Sequence, residues 1–200
     1  MCVHRHPSFL MEGLEMAIAV ILMGSMSDRP FVEPITATLG RLGINYECRV
    51  ASAHKSARYL LGLLSEYEGS GEVGAYITIA GRSNALSGMV DANVVAPVIS
   101  CPPYSDMFGG ADLYSSLRMP SGVAPAVVLE PTAAALLTAK ILAVGDPSLH
   151  RHIAEMQRAN VAALIAADQE LTNPATHQVD DGAAHDGRRQ RSAGAGGRGR

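Results

Sequence analysis

Three scarcities narrow the field before any motif is read. The chain has no basic excess, with 16 Lys and Arg against 19 Asp and Glu and a formal net charge of -3. Composition therefore gives no electrostatic reason to bind nucleic acid or an anionic membrane surface. It is poor in cysteine: Cys2, Cys48 and Cys101 are an odd number, widely spaced and without a CxxC pair. That argues against a disulfide framework or a thiolate zinc site and implies a reducing, cytoplasmic setting. Long apolar runs are missing too. Ala17 to Met23 is far too short to cross a bilayer and lacks the basic leader and cleavage pattern of a secretory signal, so it reads as a buried strand. What is present is 200 residues, 48% of them hydrophobic, enough for one globular domain with a substantial core. A small molecule is the partner this composition suits.

The two ends differ from the middle. Residues 1–15 show no clear period, and Met16 stands immediately before the first apolar run, so 1–15 are expected to be a disordered extension with His4 and His6 as tail residues. Two histidines in such a tail are not expected to form a metal site. Residues 172–200, TNPATHQVDDGAAHDGRRQRSAGAGGRGR, have almost no large apolar groups to offset the entropy of ordering, so a solvated, disordered tail is expected there. Interspersed Asp argues against reading its Arg and Gly as an RNA contact. The catalytic candidate is the segment between, residues 16–171.

In that segment short apolar runs alternate with helical spacing. Strands are predicted over Ala17 to Met23, Ile44 to Val50, Ala75 to Ala80, Pro97 to Cys101 and Ala126 to Leu129. Helices fit Pro30 to Leu42, Ser56 to Glu68, Asn84 to Val94, Asp112 to Leu117, Thr132 to Ala143 and Ser148 to Leu171. The pattern is α/β, a three-layer αβα sandwich on a parallel sheet. AIAVILM is apolar throughout and reads as central. INYECRV alternates, with Ile44, Tyr46, Cys48 and Val50 on one face, and reads as an edge. Right-handed crossovers then favour a flavodoxin-like sheet of five strands in the order 2-1-3-4-5, with an additional C-terminal helix, and ligands bind where that order reverses.

The loops leaving strands 1, 2 and 3 are GSMSD (24–28), ASAHK (51–55) and GRSN (81–84), all directed to one crevice. They consist of residues that let backbone amides approach a ligand and that cap the next helix. Helix amino ends attract an anion, most simply a phosphate. Capping by Ser27 or Asp28, with Pro30 in the first turn, accounts for much of GSMSD. It does not account for a His-Lys pair and an Arg-Ser-Asn delivered to the same place.

In combination MGSMSD, SAHK, AGRSNALSG, ISCPP and SSLRMPSG resemble the 5-aminoimidazole ribonucleotide (AIR) carboxylase family of purine biosynthesis over about residues 17–171. Of the two branches of that family, the N5-carboxy-AIR mutases typically carry AGxAAHLPG as the third loop. AGRSNALSG with Lys55 after His54 is similar instead to the branch that carboxylates AIR with free CO2, giving 4-carboxy-AIR (CAIR). The resemblance implies that Ser25 and Asp28 hold the substrate, with Ser27 beside them and the Asp carboxylate on the ribose hydroxyls. It implies that Lys55 balances the phosphate charge and Ser52 donates a hydrogen bond. It implies that Gly81 and Ser83, with Arg82 between them, supply the third loop's contacts. Homo-oligomers, tetramers or octamers, are also implied.

The chemistry then gives His54 a task. C4 of AIR is an enamine-like carbon that attacks CO2 and must afterwards lose its proton, and an imidazole, with a reference pKa of about 6.5, can take that proton near neutral pH and return it in the reverse direction. Holding apolar CO2 against C4 calls for a small dry pocket, for which Ala80, Gly81, Leu86 and Met89 are the candidates. There is no P-loop lysine motif or metal-ligand cluster, and no cofactor is expected. Cys101 reads as packing, since no His is placed to activate it. Residues 104–112, YSDMFGGAD, resemble a flap beside the crevice. The segment 132–143 is apolar nearly all round, so both sides of its helix should be covered. The alternatives to an AIR carboxylase are the mutase, a nonenzymatic flavodoxin-like nucleotide-binding module, and an oligomer scaffold whose loops are merely caps.

Overall fold

The computed structural model describes residues 2–4 and 17–173; the expected extension beyond residue 4 and the tail from 174 lie outside the described residues. In chain order the elements are β1 (Cys2–His4), β2 (Ile18–Met23), α1 (Arg29–Arg41), β3 (Tyr46–Val50), α2 (Ala57–Ser70) and β4 (Val73–Ile79). There follow α3 (Ala85–Asp91), β5 (Val98–Ser100), α4 (Tyr114–Leu117), β6 (Ala126–Val127), α5 (Pro131–Leu142) and α6 (Pro147–Thr172). The chain divides into two compact units, residues 1–156 and 157–200, and the sheet with its flanking helices belongs to the first.

The sheet order is β1-β3-β2-β4-β5-β6. From β3 to β6 every pairing is parallel, which is the predicted 2-1-3-4-5 order. The addition is β1, which pairs antiparallel with β3, Cys2 opposite Cys48 and His4 opposite Tyr46. The strand that alternation marks as an edge therefore has its outer backbone groups partly covered by three residues of the N-terminal segment, one of the ways proteins blunt an open sheet edge.

The strand of continuous apolar residues lies in the interior because it must bury both faces. Ala19, Ile21 and Met23 enter one apolar layer with Val32, Ile35 and Leu39 of α1 and Ala134, Ala135 and Ala139 of α5. Ile18, Val20 and Leu22 enter the opposite layer with Leu60, Leu63 and Leu64 of α2 and Leu86 and Val90 of α3. Side chains alternate across a strand with period two, so one run of six residues supplies both cores of the sandwich. Small residues on α5 let it approach the sheet closely, while its Leu136 and Leu137 are only half-buried. Gly71 ends α2 with φ of 68°, the left-handed C-terminal conformation that glycine adopts without a Cβ penalty.

Candidate active site

Register gathers the three predicted loops. Met23 is paired with Val50 on one side and with Ile79 on the other, so the carboxyl ends of β3, β2 and β4 lie level on adjacent strands, about 4.8 Å apart. The loops start side by side: the Ala51 N–H donates to Met23 O and the Gly24 N–H to Ile79 O, each at 2.9 Å. A Cβ at Gly24 would lie 3.7 Å from the Ala80 Cβ and 3.9 Å from Asp28 Oδ2. A fourth loop joins them, because Cys101 donates its N–H to Thr78 O at 2.9 Å.

The first loop is organised by its own side chains. Ser25 Oγ accepts from the Ser27 N–H at 3.3 Å and from the Ser27 hydroxyl at 2.9 Å, and Asp28 Oδ2 accepts from the Ser25 N–H at 3.1 Å. This is a reciprocal capping box worth about 1 kcal/mol. Ser25 caps the 3₁₀ turn over Met26–Asp28 that precedes α1; Asp28, one of the two expected caps, does stand at the N-cap position of α1, but its side chain makes no capping bond to that helix. Burial pushes the Asp28 carboxyl above its ordinary range, only partly offset by the Ser25 N–H it accepts.

In the second loop Ala51 and Ala53 are buried in the apolar layer beneath α2, which turns His54 and Lys55 outward at the apex of the turn, both exposed. His54 is therefore not packing filler. Ser52 Oγ accepts from the Lys55 N–H at 3.3 Å, and Ser56 Oγ from the Ser52 N–H at 2.9 Å, so the turn that presents the pair is closed by hydroxyls on either side of it.

The third loop is held from a distance. Arg82 has φ of 60°, the one positive value outside glycine among the described residues, a conformation that costs an ordinary side chain about 1–2 kcal/mol. Its N–H donates to Asp112 Oδ2 at 3.1 Å, and the Asn84 N–H to Ser115 Oγ at 3.0 Å. Asn84 caps α3 through Ser87 and sends its amide NH₂ inward to Ser100 Oγ at 2.7 Å and Ser116 Oγ at 2.9 Å. The Ser87 hydroxyl lies 2.8 Å from Asn84 Oδ1, 3.0 Å from Ser100 Oγ and 2.7 Å from Thr78 Oγ1. All five of these side chains are buried, and among the described residues no buried side-chain nitrogen or oxygen lacks a partner.

A cavity of about 60 Å³ beside this loop is lined by Ala80, Gly81, Arg82, Pro103, Tyr104 and Asp112, among others. Of the four residues expected to surround CO2, Ala80 and Gly81 line it; Leu86 is buried in the apolar layer and Met89 packs against that layer. The segment 104–113 contains two 3₁₀ turns, over Asp106–Phe108 and Ala111–Leu113. It exposes Tyr104, Met107 and Phe108, and a Cβ on Gly110 would lie only 2.9 Å from the Tyr104 ring. Cys101 is fully buried, and desolvation pushes its thiol up to about 12, with the Glu130 charge adding to the rise. It is neutral at physiological pH and unsuited to nucleophilic attack.

Sequence reasoning brought Ser25, Ser27, Asp28, Ser52, His54, Lys55, Gly81, Arg82 and Ser83 to one edge of the sheet, and the structure places the loops bearing them there. It missed Asp112 and Ser115 as partners of the third loop, because nothing within GRSN itself indicates what lies thirty residues further on. Among the described residues no group of three or more His, Cys, Asp or Glu is gathered for a metal ion.

Comparison with known proteins bears on the family to which the whole domain belongs. The family model described as AIR carboxylase matches residues 18–163. The phosphoribosylaminoimidazole carboxylase of Treponema denticola is 49% identical over 154 residues, covering 77% of this chain and 97% of the relative. That of Archaeoglobus fulgidus is 50% identical over 160 residues, covering 80% and 86%. The human bifunctional phosphoribosylaminoimidazole carboxylase/phosphoribosylaminoimidazole succinocarboxamide synthetase is 40% identical over 137 residues, which is 68% of this chain and 32% of that protein. A crystal structure of Treponema denticola PurE superposes with a TM-score of 0.76 at 48% identity, covering 78% of this chain and 99% of that one.

Proposed function

The chain belongs to the AIR carboxylase family, and from that premise we propose that its crevice carboxylates AIR at C4 with CO2, reversibly, giving CAIR in purine biosynthesis. The enzyme is a carboxy-lyase. The observation that carries the assignment of roles is the level ending of β3, β2 and β4, which starts three polar loops side by side at one edge of the sheet.

His54 is the proton carrier. The C4 electron pair of AIR forms the new C–C bond to CO2, whose displaced π electrons become the carboxylate. The C4–H bond then gives its electrons back to the ring as its proton passes to the imidazole. Exposure of His54 at the apex of its turn supports this role, because the ring must meet a substrate from outside the chain. Lys55 faces the phosphate as a point charge. Toward the backbone N–H groups of Ser27 and Lys55, Ser25 and Ser52 serve as acceptors, leaving each hydroxyl proton to be donated to the substrate. Asp28, partly desolvated, takes the ribose hydroxyls, with Ser27 beside it, and Gly81, Arg82 and Ser83 close the third side.

We also infer a homo-oligomer, a tetramer or octamer, in the cytoplasm. Among the described residues no helix is long and apolar enough to cross a membrane. Residues 157–172 of α6 are exposed throughout and include Val161, Leu164, Ile165 and Leu171, an apolar set that another copy of the chain would cover. Light scattering at working concentration tests this; a monomer contradicts it.

The function is tested by supplying purified protein with AIR and bicarbonate without ATP, and separately with N5-carboxy-AIR. CAIR from the first is expected. CAIR only from the second would make the chain a mutase, and bound flavin without either reaction would favour the binding module.

A further inference from the structure

The third loop of the crevice does not hold its own shape. Arg82 occupies the left-handed region where a side chain is disfavoured, and its N–H finds its partner outside the loop. What meets its backbone N–H is the carboxylate of Asp112, 30 residues away, at 3.1 Å. Ser115 reinforces the same clasp: its hydroxyl accepts from the Asn84 N–H at 3.0 Å and lies 2.7 Å from Asp112 O, to which it donates. The clasp therefore grips the turn on both sides of Ser83, and both gripping residues come from the segment that follows the exposed Tyr104, Met107 and Phe108. Arg82 and Asp112 also stand together in the wall of the 60 Å³ cavity.

We propose that Asp112 is a positioning residue for substrate binding, acting through the Arg82 amide to keep the GRSN turn in the left-handed form that presents Gly81, Arg82 and Ser83 to the crevice. Without that acceptor Arg82 relaxes toward the ordinary right-handed or extended regions, rotating the peptides on either side and withdrawing those contacts. The role belongs to an acceptor oxygen and not to a charge, since the group held is a neutral N–H. An amide oxygen at 112 serves as well, and a glycine at 82, which adopts positive φ freely, makes the clasp unnecessary.

The substrate named here rests on the AIR carboxylase reading, so the test has one readout that depends on it and one that does not. Hydrogen–deuterium exchange on peptides covering residues 80–86 reports the clasp alone. Protection at the Arg82 amide in the wild type, lost in Asp112→Ala and retained in Asp112→Asn, is expected. Rapid exchange of that amide in the wild type, or unchanged protection in Asp112→Ala, overturns the proposal whatever reaction the protein catalyses. With AIR as substrate, Asp112→Ala is expected to raise KM by about tenfold while kcat stays within about threefold, and Asp112→Asn to stay within about threefold on both. In an Arg82→Gly background the further effect of Asp112→Ala on KM should shrink below about twofold.

Equal damage from Asn and Ala at 112 would mean that the carboxylate charge itself meets the substrate, and would overturn the positioning role. Should Asp112→Ala not fold, wild-type exchange and Asp112→Asn kinetics still decide. A wild type that turns over no AIR would refute the functional reading, while the exchange data would continue to judge the clasp.

Discussion

The GSMSD turn carries its own support: Asp28 accepts from the Ser25 N–H and Ser25 from the Ser27 N–H, so these bonds close within three residues. The GRSN turn, at the same level on the neighbouring strand, is supported by Asp112, Ser115, Ser100 and Ser116, the nearest of them 16 positions from Asn84. Both deliver side chains to one crevice. The first is a local device that forms with its helix; the second forms only when β5 and the 111–117 segment have docked, so its geometry reports the state of the surrounding fold. On the proposed reading, the binding site has one wall held by bonds within its own loop and one whose shape depends on packing elsewhere.

The sharpest way to break this contrast is at Asn84. Replacement by Ala strands Ser100 and Ser116 in a region where both hydroxyls are buried, and should cost about 2–4 kcal/mol in urea unfolding through lost bonds and unmatched polar groups. AIR affinity should fall with it. A loss below about 0.5 kcal/mol would mean that the buried hydroxyls find other partners and that the third loop is not built from afar. The matching change on the local side, Ser25→Ala, removes one cap and should cost only about 1 kcal/mol, with hydrogen exchange elevated in residues 25–30 and unchanged in 81–86. Elevated exchange in both loops would erase the distinction.

That asymmetry also separates what could be read from the sequence from what could not. Strand identity was legible because AIAVILM must bury both faces and INYECRV only part of one, and right-handed crossovers then leave few orders for the sheet. Helix spans were legible to within a few residues, apart from α3, which stops at Asp91, short of the expected Val94. Loops whose partners lie within four residues, such as Ser25 with Asp28 or Ser52 with Ser56, carry their bonding in their own spacing. The partnership of Arg82 with Asp112 carries none: an Asp in a Gly-rich loop is indistinguishable from a solvated turn residue until the fold places it. The pairing of Cys2–His4 with β3 escaped notice for the same reason, since three residues are too few to show a period.

The smallest effect expected is at Asp28, where function and stability pull apart. Burial raises its carboxyl pKa above the unfolded value, so the protonated form is the one favoured by folding. Its contribution to stability is present below the ordinary carboxylate pKa and is lost as pH rises through the raised folded value, leaving a small penalty at neutrality. Asp28→Asn should therefore unfold no earlier than wild type at pH 7, with any advantage shrinking in acid, while losing AIR affinity. Thermal melts from pH 3 to 8 check the sign; a variant clearly less stable at pH 7 would show that the ionised cap outweighs its desolvation.

The claim beneath all of this is that the turn lifted out by buried Ala51 and Ala53 places an imidazole where it moves the C4 proton. It is tested most directly by His54→Asn, which keeps a polar side chain of similar reach but cannot shuttle a proton near neutral pH. Single-turnover carboxylation should slow by about 10²–10⁴-fold, the usual worth of a general base, while AIR Kd measured by calorimetry stays within about threefold. An unchanged rate in the folded variant would contradict the account.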